Sequence, residues 1–68
     1  LSSKELCKIL SENGFSQIRQ SGSHIIMQKP LEDSTKTIPV PNHNELKIGT
    51  LQSIIRQSGL PKSLFITK

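Results

Sequence analysis

Large aromatic residues are almost missing from this chain of 68 residues: it has no Trp, no Tyr and only two Phe, Phe15 and Phe65. The core must therefore be assembled from Leu, Ile, Val and Met, and a chain this short buries only about 60% of the surface its unfolded form exposes. A deep cofactor pocket has no room, and no cofactor is expected. The single cysteine, Cys7, has no partner for an internal disulfide, a zinc motif or a redox motif, which fits a reducing, cytoplasmic setting. No apolar run approaches the ~20 residues of a membrane span, so no membrane association is expected. The chain opens at Leu1 rather than Met, without a charged-then-apolar leader pattern, and a few further residues are expected ahead of it. Acidic residues are the minority, five Asp+Glu against nine Lys+Arg for a formal charge of +4, which favours a polyanionic partner such as nucleic acid or an acidic protein surface. Glu32 and Asp33 are adjacent loop carboxylates without further ligands; they read as a polar turn, and no metal is expected.

Ser2 and Glu5 have the S-x-x-E spacing of a capping box, and Leu6, Ile9 and Leu10 follow on one helical face. Asn13-Gly14 ends that helix, with Phe15 placed to contact Leu10 across a glycine-terminated cap. Two strand-like segments follow, Phe15 to Gln20 and Ser23 to Lys29, joined through Ser21-Gly22 as a two-residue turn. A third, Lys36 to Val40, contains Pro39 and so belongs at a sheet edge. A second helix is expected with Thr50 as its cap, Leu51, Ile54 and Ile55 on one face and Gly59 as its stop. The tail, Lys62 to Lys68, is expected to form a short helical turn or to order against a partner. The order α-β-β-β-α over a single domain, residues 1–68, is α+β. It is the layout of a double-stranded-RNA-binding-like fold: a three-stranded antiparallel sheet with two helices on one face.

A turn at Ser21-Gly22 pairs Ile18 with Ile25 and Arg19 with His24. Pairing Lys29 with Lys36 sets Met27 opposite Ile38 and Ile25 opposite Val40. Side chains alternate along strands, so the core face carries Ile18, Ile25, Met27, Ile38 and Val40. The open face carries Gln17, Arg19, His24, Ile26, Gln28, Thr37 and Pro39.

In such a meander, the first turn and the exit of the third strand share one edge. Gly22, Ser23 and His24, the loop from Pro41 to Asn44, and the backbone N–H groups near Gly49 and Thr50 are expected to gather there. A helix N-terminus attracts anions, and Arg19 beside His24 supplies a fork suited to a phosphate oxygen. Imidazole exchanges protons near neutrality, and RNA brings its own nucleophile in the 2′-hydroxyl. His24 is therefore the candidate catalytic base or acid, with Arg19 stabilising developing charge. His43 is either a second acid/base partner or a loop residue helping to cap the second helix. Gly22, Ser23, Gln28, Lys29, Lys36 and Lys47 are candidate RNA contacts, although scattered lysines commonly form a solvated face. Ser23 lacks the orienting groups of a nucleophile.

Ser3-Lys4-Glu5-Leu6, Asn13-Gly14-Phe15, Arg19-Gln20-Ser21-Gly22-Ser23-His24, Ile38-Pro39-Val40-Pro41-Asn42-His43, Gly49-Thr50-Leu51 and Ile54 to Leu60 follow one another at a spacing that resembles the HicA toxins of toxin–antitoxin pairs. The resemblance implies an mRNA interferase, a metal-independent endoribonuclease whose active-site histidine follows the Gly-Ser of the hairpin, here His24. It also implies a HicB-type antitoxin partner that covers the site, with operator DNA engaged only through the pair. Ile25 and Met27 depart from the family pattern, which often has a second His and a basic or aromatic residue there. Two other readings fit the residues: a non-catalytic double-stranded-RNA-binding module of the same fold, and an interaction protein whose basic face serves only to meet an acidic antitoxin.

Overall fold

A computed structural model describes residues 1–66; of the tail, Thr67 and Lys68 lie outside the described residues. The elements are α1 (Ser3–Glu12), β1 (Ser16–Ser21), β2 (His24–Pro30), β3 (Thr35–Pro41) and α2 (Ile48–Ser58), followed by a 3₁₀ turn, Lys62–Phe65. The sheet is antiparallel in the order β1-β2-β3, and the helices pack on one of its faces. The α+β architecture read from the sequence is the one observed.

α1 begins where its capping box dictates. The Ser2 hydroxyl accepts from the Glu5 N–H at 3.1 Å, and the Glu5 carboxylate accepts from the Ser2 N–H at 2.9 Å. These bonds hold the Glu5 carboxyl below its ordinary pKa, the backbone donor contributing most. The helix ends as its Asn-Gly sequence requires: Gly14 takes φ 99°, and the Phe15 N–H reaches back to the Leu10 carbonyl at 3.0 Å. Phe15 is thereby drawn into the core instead of opening the strand, so β1 starts one residue later than expected.

β2 and β3 pair as their apolar pattern demands, with Ile25 opposite Val40, Met27 opposite Ile38 and Lys29 opposite Lys36. The β1–β2 register differs from expectation. The turn residues are Gly22-Ser23, not Ser21-Gly22, and Gly22 alone of the two has positive φ, 59°. Glycine at the first central position followed by a residue of negative φ is the requirement of a type II′ turn, whereas a turn at Ser21-Gly22 would have placed Ser21 in that position. Ser21 now faces His24, and Arg19 faces Ile26.

The register then shifts between Gln17 and Arg19, so that Gln17 faces Met27. An extra residue in one strand reverses the face of everything beyond it. Gln17 consequently turns to the helix side, and Ile18, expected in the core, is 46% exposed. The core is Leu6, Leu10, Phe15, Met27, Ile38, Val40, Leu46, Ile54 and Phe65, every one at 4% exposure or less. Phe65, from the 3₁₀ turn, seals it at the tail.

α2 starts two residues before the expected cap. Thr50 lies within its first turn, and Lys47 occupies the N-cap without a side-chain bond. The buried Leu46 anchors the approach, and the Leu51 N–H closes the first turn on the Lys47 carbonyl at 2.9 Å. Gly59, at φ 73°, ends the helix as expected.

Candidate functional site

The open face of the sheet is a grid set by cross-strand pairs, because directly paired residues point to the same side. Its first row is Ser21, His24 and Pro41; its second is Arg19, Ile26 and Pro39; its third is Ser16, Gln28 and Thr37. His24 is exposed, at the start of β2 and beside the Gly22-Ser23 turn. Arg19 stands diagonally from it, a separation that long side chains span. Gln28 lies two rows away and donates from Nε2 to the Thr37 Oγ1 at 3.2 Å.

Pro41 joins this grid to a cavity. It stands next to His24 across the strand pair and also lines a hollow of ≈ 290 Å³ with His43, Glu45, Leu46, Lys47 and Thr50. The turn and the β3 exit are tied directly, the Asn42 N–H donating to the Ser23 carbonyl at 2.7 Å. At the far wall of the hollow is the first turn of α2. Among the described residues, the N–H groups of Ile48, Gly49 and Thr50 have no side-chain cap; such groups present a partial positive charge.

The loop carrying His43 is held from beneath by Ser3, which is 2% exposed. The Ser3 hydroxyl donates to the His43 carbonyl at 2.6 Å and accepts from the His43 N–H at 2.8 Å, while the Ser3 N–H bonds the same carbonyl at 3.0 Å. This support was not singled out from the sequence, where a helix-opening serine reads as part of the cap. Its only trace there is that Ser3 lies on the same helical side as Leu6 and Leu10.

The structure thus brings His24, Arg19, Ser23, Gly22, His43 and Lys47 to one edge, with Gln28 farther along the same face. Lys29 and Lys36 are elsewhere. Both project from the helix side at the opposite end of the strands. The Lys29 Nζ lies 5.8 Å from the centre of the Phe15 ring, and the Lys36 Nζ lies close to Gly59, where an added Cβ would come within 3.1 Å of it. Among the described residues, no group of three or more His, Cys, Asp or Glu side chains is placed to hold a metal ion. Among the described residues, no helix is long and apolar enough to cross a membrane.

Chemically, the edge offers an exposed imidazole beside a guanidinium, a second histidine and a lysine around a hollow, and a helix N-terminus with free amides. These groups suit a phosphodiester: cations and N–H donors for its oxygens, and imidazoles for proton transfer. A family model described as HicA toxin of bacterial toxin–antitoxin matches residues 3–60. No curated protein matches the chain.

Proposed function

The chain belongs to the HicA toxin family, and from that membership together with the open sheet face we propose that it is a toxin that cleaves mRNA by proton transfer through His24. The observation that carries this reading is the row Ser21–His24–Pro41, which sets an exposed imidazole between Arg19 and the hollow lined by His43 and Lys47. The 2′-oxygen of the substrate attacks phosphorus, the bond from phosphorus to the 5′-oxygen breaks, and the products are a 2′,3′-cyclic phosphate and a 5′-hydroxyl. One proton leaves the 2′-hydroxyl and one is delivered to the departing 5′-oxygen. His24 performs one of these transfers, and His43, across Pro41, is positioned for the other. Arg19 and the amides of the α2 N-terminus face the charge that builds on the phosphoryl oxygens. Gly22 and Ser23 let the backbone approach the strand, while Lys47 and Gln28 hold flanking parts of the RNA. A toxin of such a pair is matched by an antitoxin, here a HicB-type protein covering this face, with operator DNA bound only through the complex.

The test is incubation of the purified chain and its His24→Ala variant with mRNA in EDTA, with the ends of the fragments mapped. The expected result is cleavage by the wild type to cyclic-phosphate and 5′-hydroxyl ends, and a folded variant that binds RNA without cutting it. Equal cutting by both would remove His24 from the mechanism. Binding by both without cutting would make the chain a non-catalytic RNA-binding module.

A further inference from the structure

On the side of the sheet opposite His24, a groove of ≈ 550 Å³ runs between α1 and β1. Its floor is the half-buried Ile25 and the buried Met27; one rim carries Lys4 and Lys8 from α1, and the other carries Gln17 and Gln20 from β1. Lys4 and Lys8 are four residues apart, so they stand one above the other on the helix. None of the lining residues is a carboxylate. The rim on β1 has two origins: the Gly22-Ser23 turn pairs Gln20 with Ile25, and the register shift between Gln17 and Arg19 turns Gln17 inward where an uninterrupted strand would have placed Ile18.

We propose that this groove docks an extended acidic segment of a partner protein, with an apolar side chain seated on Ile25 and carboxylates against Lys4 and Lys8. Three observations fix that occupant. The charge on the rim is positive, with no carboxylate in the lining, within a chain of formal charge +4. The floor is apolar, which a phosphate backbone does not use but the side chain of a Leu or Ile in a bound peptide buries itself against. The outer rim is an edge strand, and its glutamine amides donate to and accept from a peptide backbone lying alongside. Because the groove and the His24 face are on opposite sides of the sheet, a segment held here leaves the RNA site open, and a partner can be tethered without blocking it.

Cys7 lines the groove and is the only cysteine, which makes it a built-in reporter. Burial raises its thiol pKa, so labelling is run at mildly alkaline pH. The probe is a synthetic peptide of sequence Glu-Leu-Glu-Glu-Leu-Glu, with Lys-Leu-Lys-Lys-Leu-Lys and a single-stranded RNA oligonucleotide as comparators. The proposal expects the acidic peptide alone to slow iodoacetamide labelling of Cys7 and to shift the backbone NMR signals of Ile25 and Gln17. The charge-reversed double variant Lys4→Glu/Lys8→Glu should weaken that peptide by about tenfold or more while cutting RNA at the wild-type rate, since both lysines are exposed on α1 and neither lines the hollow nor stands on the His24 face. No protection and no shift, or equal protection by the basic peptide, overturns it. Protection by the RNA instead would make the groove an RNA surface. An inactive wild type would count against the ribonuclease reading and leave the peptide result intact.

Discussion

Two isoleucines of the sheet separate pattern from placement. Ile38 is fully buried, and truncating it to Ala should cost about 2–5 kcal/mol through lost burial and a cavity. Ile18 is 46% exposed on the irregular part of β1, so Ile18→Ala should stay within about 0.5 kcal/mol of wild type. Urea unfolding of the two variants checks both, and a large loss at Ile18 would mean the register shift is absent. The sequence could not distinguish them: both sit in apolar–polar alternation, and an irregularity that leaves no glycine or proline behind has no marker in composition. Ser3 makes the converse point, a small polar residue with a buried duty. Ser3→Ala removes the hydroxyl that both donates to and accepts from the His43 backbone. It should cost about 1–3 kcal/mol by leaving a part-buried N–H unpaired. Because it loosens the loop that carries His43, the same variant should lose cleavage activity beyond what its unfolded fraction explains, measured well below its melting temperature.

The two helices begin in opposite ways, and the difference is testable. α1 has a complete capping box, so Ser2→Ala should destabilise the fold by about 1 kcal/mol. The same box holds Glu5 with a lowered carboxyl pKa. A carboxyl lowered in the folded state contributes stability that is present above its unfolded pKa and is lost as pH falls through the folded value. Thermal melts of wild type and Glu5→Ala, which lacks the carboxylate that accepts from the Ser2 N–H, should therefore converge in acid. α2 has only Lys47 at its N-cap and no side-chain bond there. Lys47→Asp supplies the missing acceptor and a charge that suits the helix dipole, so it should stabilise by about 1 kcal/mol. It also places a carboxylate in the hollow beside His43 and should weaken RNA cleavage, a gain in stability at the expense of the site. This asymmetry explains what was legible. α1 was readable to the residue because its start and stop are written in side chains that bond the backbone. The start of α2 was not, because Thr50 resembles a cap while the true boundary is set by the buried Leu46 and the first-turn closure on Lys47. The β2–β3 pairing was readable from its apolar rows, and the β1–β2 pairing failed by a turn residue: only a glycine at the first central position satisfies the turn that formed.

For the whole molecule, the formal charge of +4 does not say which cations meet RNA, and the fold divides them. Arg19 and Lys47 flank the His24 edge, whereas Lys29 lies over Phe15 and Lys36 beside Gly59 on the other face. Arg19 and three lysines that read alike in the sequence therefore fall into two classes, because the sheet is two-sided and the Lys29–Lys36 pair stands on the helix side, at the strand end away from His24. Each phosphate contact to a single strand releases counterions and adds about 0.7 to the magnitude of the slope of log affinity against log salt. With a 2′-O-methyl oligonucleotide, which binds but cannot be cut, Arg19→Ala and Lys47→Ala should each lower that magnitude by about 0.7. Lys29→Ala and Lys36→Ala should leave the slope unchanged; the Lys29 variant would instead lose a little stability through its contact with the Phe15 ring. Fluorescence anisotropy across a salt series decides the matter. A uniform drop for all four would mean that RNA wraps both faces, and the His24 edge would then be one contact among several rather than the place where the strand is held for cleavage.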